Sequence, residues 1–565
     1  MSKFPGTQSK GTGTKNRCPC GRERDDERKE LDAGRDWEEN GMRIAAKGGI
    51  GMVLPRRKKG SRIAFALLSA LMFASCGGGS STTDGGGTGG TGVGPVTGFG
   101  SVIVNGIAYD DAGIDNTNFL DDHGRTKADL AAGMMVKVTA AGVNDLQGIG
   151  TATKIEVQRH VDGPLDNNGV DLATGTFRVM GQAVLADTTT VFDNVADLVA
   201  VDNLAGSGNR PELEVHGIAD NAGTIHATFV HLWDNNIVAG RAVQVKGTVE
   251  NDNAVGKTFT LGTSRVSYAT IVPAPAGLDN GVFVEVKGTF QAADNTIAAT
   301  SVTVGDPASG QSAGDLVKSE GYVKRIIAAG AQFELIGADG LQRINWSGGT
   351  TAFKDGTAAD LLAGARVVVE GKRNLDKTVA AKEISFRKPS NIRMDTTVTV
   401  PASPPASLRL FGKTVFVNSL TQFRDSAGTT PLRTFGLANI ATDNTLRVSA
   451  FLDNSTGAMR IVASRIERID PLAIDRKILQ GIVELKLGGA NVRILGITVQ
   501  TFPGSTEFLN ADGTPFPGAT ENERQANFFA AVVEGRTVVR ARGTAGSPTV
   551  VMIANEVRIQ PTIDN

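Results

Sequence analysis

The chain has 565 residues, with 58 basic and 59 acidic side chains, 70 glycines, and only three tryptophans and three tyrosines. That length holds several domains at roughly one per 150 residues. The first 75 residues hold 16 basic and 9 acidic side chains, leaving 42 and 50 beyond them, a balance of −8 for the body. A body of that sign lacks the basic face that displaces counterions from phosphate, which excludes nucleic acid as a partner. The shortage of Trp and Tyr argues against an aromatic-lined cleft.

Residues 1–51 are polar and Gly-rich, with neither helix nor strand period. Cys18-Pro19-Cys20 supplies two of the four ligands that structural zinc needs, so it reads as a chance pair. Arg56–Lys59 and Arg62 then precede an apolar run, Ile63–Phe73, too short to cross a bilayer. This is the pattern of a signal peptide over 52–76, with translation expected to begin at Met42 or Met52. The run ends Leu71-Met72-Phe73-Ala74-Ser75-Cys76, which resembles the lipobox of bacterial lipoproteins with Phe73 in place of the usual Leu. The resemblance implies cleavage after Ser75 and a lipid on Cys76. Cys76 is the last cysteine in the chain and has no disulfide partner beyond the signal. Acyl chains bury at about 0.8 kcal/mol per methylene, enough for several of them to hold the body at a membrane. Gly77 after the cysteine implies, by the same resemblance, sorting to the outer membrane of a Gram-negative bacterium. Residues 77–95 (GGGSSTTDGGGTGGTGVGP) read as a flexible tether.

From Val96 the chain repeats itself. An Ala followed three residues later by Ile or Val recurs at Ala152/Ile155, Ala227/Val230, Ala299/Val302, Ala381/Ile384, Ala463/Ile466 and Ala554/Val557. Each follows an alternating strand such as LEVHG at 213–217, VEVKG at 284–288 or VVVEG at 367–371. Asp/Asn turns separate the two, giving a β-hairpin at intervals of roughly 70–90 residues. The six units run over 96–158, 161–233, 242–304, 316–386, 395–468 and 477–560. Five short strands per unit, with a brief interruption before the fourth, predict an all-β tandem array of small Greek-key barrels of the oligonucleotide/oligosaccharide-binding type. A small open sandwich per unit is the alternative. Gly133, Gly281 and Gly364 sit where a tight turn enters strand four. Ala299 lies on the wrong parity to share a face with Val302 and Val304, which calls for a bulge or a close approach there.

The phrase Gly98-Phe99-Gly100-Ser101-Val102-Ile103-Val104-Asn105-Gly106, together with the VxVxG strand and the A-x-x-I/V ending, resembles the bacterial domain of unknown function 5666. The resemblance covers most of residues 96–560 and implies small β-barrels, tandem organisation and an envelope location. It brings no catalytic residue with it.

Chemistry-bearing patterns are sparse. His216, His226 and His231 share one hairpin, but 226 and 231 differ by an odd number and should face opposite sides of a regular strand. They read as hairpin surface residues, and no metal site or cofactor is expected. Asp220-Asn221, Asp252-Asn253, Asp279-Asn280, Asp294-Asn295 and Asp453-Asn454 lack the ligand spacing of a calcium loop and fit turn chemistry. Tyr268, Tyr322, Trp233 and Trp346 occur in different units and read as packing residues. The insertion Asn510–Asn527 reads as a surface loop. No nucleophile elbow, phosphate loop or dinucleotide fingerprint is present, so no catalytic residue is assigned. The expectation is a non-catalytic, lipid-anchored envelope scaffold or binding protein for a protein or glycan. The alternatives are a periplasmic ligand or divalent-cation binder and, after it, an envelope hydrolase.

Overall fold

The computed structural model describes residues 89–561, apart from 239, 292–293, 404–405, 456 and 546–550. The predicted signal peptide and Cys76, with Leu71, Phe73, Ala74 and Ser75, lie outside the described residues, as do Cys18 and Cys20. Six barrels follow one another over 90–157, 161–234, 242–304, 316–386, 392–469 and 477–560.

The fourth barrel states the plan. Its strands are Leu316–Ala328, Gln332–Gly337, Gly340–Asn345, Arg366–Arg373 and Val379–Phe386. The first pairs with the second and the second with the third, all antiparallel. Strand three runs parallel to strand five, and strand four closes the circle against strands five and one. The order 1-2-3-5-4-1 is the closed Greek-key barrel that the strand pattern predicts. Val323, Phe333, Leu335, Ile344, Val367, Val369 and Ile384 fill its interior.

The repeated Ala marks a bulge in every barrel. The residue after it, Thr153, Thr228, Thr300, Lys382, Ser464 or Asn555, has no partner in the register of strand four. A bulge leaves the local ladder incomplete, and a threonine just before the Phe of the preceding loop supplies a bond there. Thr190, Thr351, Thr421 and Thr506 donate their hydroxyls to the carbonyls of Ala227, Ala381, Ala463 and Ala554 at 2.6–2.9 Å. The recurring T-x-F signature is therefore the partner of the A-x-x-I/V signature. The strand-four glycine faces the same bulge: a Cβ on Gly371 would stand 2.2 Å from the Ala380 carbonyl oxygen. Barrels one and five place Ala140 and Ala450 at that register.

Two expectations are corrected. Gly90–Gly98 is a fully buried strand, so the tether reading fails over residues 90–95. Its glycines serve close approach: Cβ atoms would fall 2.7 Å from Val143 at Gly90, 2.4 Å from the Tyr109 hydroxyl at Gly92, and 2.6 Å from the Asn105 amide at Gly94. Within the insertion 510–527, Glu521 begins an α-helix that runs to Ala531. Thr520 and Glu523 cap its start reciprocally, and Phe528 packs on Phe508 and Phe516 at 5.5 and 5.2 Å between ring centroids.

The barrels are fused in pairs through their first strands. Strand one meets strand two only in its second half, so one edge of its first half is open. In barrels one and four these open edges pair with each other, Gly90–Val93 against Leu316–Ser319 in parallel. Val161–Asp162 pairs with Gln244–Val245 between barrels two and three, and Arg393–Asp395 with Ile478–Gln480 between five and six. Three sheets of 12, 12 and 13 strands result.

Replacing Gly371 with Val should cost about 1–3 kcal/mol by overpacking the bulge. Thr351→Val should cost about 1–3 kcal/mol by orphaning the Ala381 carbonyl. Gly348→Ala, where a Cβ meets nothing within 4 Å, should leave the urea midpoint of the full chain in place.

Candidate functional site

Among the described residues, polar and titratable groups gather where barrels meet. The histidine hairpin of barrel two is one such place. His216 pairs with Phe229, Glu214 with His231 and Ile218 with His226. The bulge at Thr228 resets the alternation, so His226 and His231 stand on the same face, contrary to the parity expectation. That face is the outside of barrel two, and it is covered by its neighbours. His216 is fully buried; its Nδ1 accepts from the Met135 amide of barrel one at 3.1 Å, and its Nε2 lies 2.6 Å from Glu214 Oε1. The amide bond leaves the ring proton on Nε2, where it donates to the carboxylate. His226 and His231 instead reach Asp220 at 3.1 Å and Asp193 at 2.7 Å. The three rings do not converge on one point.

Around Glu214 a denser cluster forms that the sequence did not reveal. The loop after strand three of barrel one carries Asp121, His123 and Arg125 over barrel two. Arg125 donates to Glu214 Oε1 at 2.6 Å, Arg159 pairs with Asp121 and approaches Glu214 at 3.3 Å, and His123 Nε2 bonds Asp162. Burial opposes the Glu214 charge, but His216 and the two guanidiniums outweigh it and hold its pKa well below the carboxylate range. Trp233 lies in the same region, its ring 4.9 Å from His123, 4.5 Å from His231, and within 4.9 Å of the Arg125 and Arg241 guanidiniums. Tyr268 is a core residue beside Phe259, and Trp346 packs edge-on to Phe353.

A cavity of about 320 Å³ opens where barrels one, two, four and five meet. Asp220 and His226 line it from barrel two, Tyr322 and Arg366 from barrel four, and Arg387 and Lys388 from the connection between barrels four and five. The His226 and Tyr322 rings stand 4.8 Å apart. Arg366 and Arg387 share one buried carboxylate, Glu320, at 2.8 and 3.2 Å. Burial raises the Glu320 pKa, and the two guanidiniums overcome that to set it below normal. Lys388 and Arg460 likewise meet on Asp453 at 3.2 and 3.1 Å. Desolvation of Asp453 is outweighed by the Ser455 amide and hydroxyl and these two cations, and its pKa falls to about 2. The Asp/Asn clusters behave as turn formers: Asp220 accepts from the Ala222 and Thr224 amides, Asp294 from Thr296, and Asp453 from Ser455.

The architecture is thus a tandem array of closed, bulged barrels of the oligonucleotide/oligosaccharide-binding type, with its polar sites at the junctions. Residues 162–231, 246–303, 320–385 and 396–467 match the family model of the domain of unknown function DUF5666. These are barrels two to five, four tandem repeats that each match this domain. The phrase Gly98–Gly106 lies outside the matched ranges. No curated protein matches the chain. A solved structure described as drosophila Unr CSD456 is similar at 12% identity, over 44% of this chain and 97% of that one, with a TM-score of 0.16. Among the described residues no helix is long and apolar enough to cross a membrane.

Glu320→Gln should cost about 1–3 kcal/mol in urea unfolding, because it removes the fully buried carboxylate that the partly exposed Arg366 and Arg387 share. Asp453 has a depressed folded pKa, so its stabilising effect is complete above the unfolded value of about 3.9 and disappears as pH falls toward 2. Wild type should therefore lose stability across that window more steeply than Asp453→Asn, followed by urea midpoints from pH 5 to pH 2.

Proposed function

We propose that this chain is a non-catalytic cell-envelope lipoprotein. A lipid on Cys76 holds it to the outer membrane of a Gram-negative bacterium, and its barrels form a binding body for a glycan or protein partner. The observation that carries the binding role is the junction cavity. Its volume lies in the range of small-ligand sites, roughly 300–1,000 Å³. Four barrels contribute to its wall, so the cavity belongs to the assembled array rather than to any one repeat.

Its chemistry favours holding over reacting. His226 is engaged with Asp220, Arg366 and Arg387 with Glu320, and Lys388 with Asp453. Each ionic pair fixes a donor or acceptor in place beside the Tyr322 and His226 rings. Fixed polar groups around an aromatic face suit a sugar ring, which offers hydroxyls at its rim and C–H groups on its faces. The anchor rests on the sequence: the basic region, the short apolar run and the small residues before Cys76.

In cells, the full chain should take up labelled fatty acid and fractionate with the outer membrane. Cys76→Ser should lose the label and leave the membrane; a variant that behaves like wild type would refute the anchor. For the cavity, N-acetylglucosamine and galacturonate should raise the melting temperature of the purified chain, and His226→Ala should weaken binding about tenfold, a loss of about 1.4 kcal/mol. If neither sugar shifts the wild type, the glycan reading falls and a protein partner becomes the object of search.

A further inference from the structure

Glu214 and Asp162 lie directly opposite each other on adjacent antiparallel strands of barrel two. Like charges in that position repel, and here both residues are buried, with 0% and 1% of their surface exposed. Each carboxylate satisfies one oxygen. Glu214 Oε1 takes Arg125, His216 and the approach of Arg159, and Asp162 Oδ2 takes His123. The other oxygens, Glu214 Oε2 and Asp162 Oδ1, are buried without a hydrogen-bond partner. A buried carboxylate oxygen left so is costly, and two on facing residues of adjacent strands call for a partner that both can share.

We propose that His123, Asp162 and Glu214 form a divalent-metal site of zinc-like preference that staples barrel one to barrel two. One donor atom from each lies within 4.8 Å of the others. An imidazole nitrogen with two carboxylate oxygens is a donor set that zinc accepts at about 2.0–2.2 Å, with water completing four-coordination. The ion asks for a modest contraction, and His123 is placed to provide it. It comes from a loop of barrel one and is the most exposed of the three, at 21% of its side chain.

The surrounding charges leave space for the ion. With neutral imidazoles, the buried acids Asp121, Asp162 and Glu214 exceed Arg125 and Arg159 by one negative charge. A divalent cation turns that excess into a single positive charge. Arg125 and Arg159 both address Glu214 through Oε1, so they do not occupy the orphaned oxygen. His216, held by the Met135 amide and Glu214, orients that carboxylate as a hydrogen-bonded neighbour of a metal ligand does. This site is independent of the cavity and of the lipid anchor.

The test uses the full chain carrying Cys18→Ser, Cys20→Ser and Cys76→Ser, so that no thiolate competes for metal. After chelation and desalting, the protein is titrated with ZnCl2, passed through gel filtration and assayed for bound metal. The expected result is one retained equivalent and a higher melting temperature. Both should vanish in His123→Ala and persist in His226→Ala, an imidazole that is also paired with an acid but lies outside the cluster. Co2+ at the site should quench Trp233, and the quench should be absent from Trp233→Phe. Because His123 sits in a partly exposed loop, its variant should keep the wild-type far-ultraviolet spectrum; if it does not, Asp162→Asn serves as the second removal of a ligand. Failure to retain zinc, or equal retention by wild type and both ligand variants, overturns the proposal.

Discussion

A five-stranded barrel of this kind leaves half of its first strand with one edge unpaired. Strand one must reach strand four at its start and strand two at its end, and between these contacts a few backbone amides and carbonyls have no partner within the barrel. Exposed edges of that sort invite association with other strands. Here the need is met inside the chain, each barrel covering its open half-edge with that of a sister. Barrel one reaches past two others to find barrel four, and Gly90–Val93 aligns with Leu316–Ser319. These pairings join barrels one and four, two and three, and five and six, and the Glu214 cluster and the cavity lie where one such pair meets another.

The second constraint is the bulge in strand five. It inserts one residue in each barrel and reverses the alternation of everything after it. In barrel two the reversal sends Phe229 and His231 outward along with His226, so a strand that would have shown one imidazole to its neighbours shows two. Phe229 enters the core of barrel one as a result. A defect required to close one barrel thus supplies the side chains that dock it to the next.

Much of this was legible in the residues. Alternation located the strands, the repeated Ala located the bulge, and Gly133, Gly281 and Gly364 located the turn into strand four, where all three have positive φ. The errors share a cause. Gly90, Gly92 and Gly94 were read as composition, whereas their period of two places them on one face of a strand, the face that Tyr109 and Asn105 press against. The helix beginning at Glu521 was hidden by the polar content of its loop, although Thr520-x-x-Glu523 is a capping box. The bulge at Thr228 lies between His226 and His231 and undoes the parity of a regular strand. The Glu214 cluster was beyond reach, since it joins residues 121–125 to residues 159–162 and 214–216 across two barrels, and no local spacing encodes that meeting.

Six similar barrels with six similar open edges could pair in many ways, and hydrogen bonds along the backbone do not distinguish among them. Side chains must do so. The junctions carry ion pairs that bridge barrels: Arg125 of barrel one to Glu214 of barrel two, and Lys137 of barrel one to Asp339 of barrel four. Buried ion pairs are a poor source of stability, since desolvation consumes much of the attraction, yet a mismatched partner leaves a charge uncompensated at a cost of several kcal/mol. Apolar junctions would have been at least as adhesive and far less selective. In a chain of similar repeats, this gives charge at the seams a part in how barrel one finds barrel four, where Lys137 meets Asp339 at 3.1 Å.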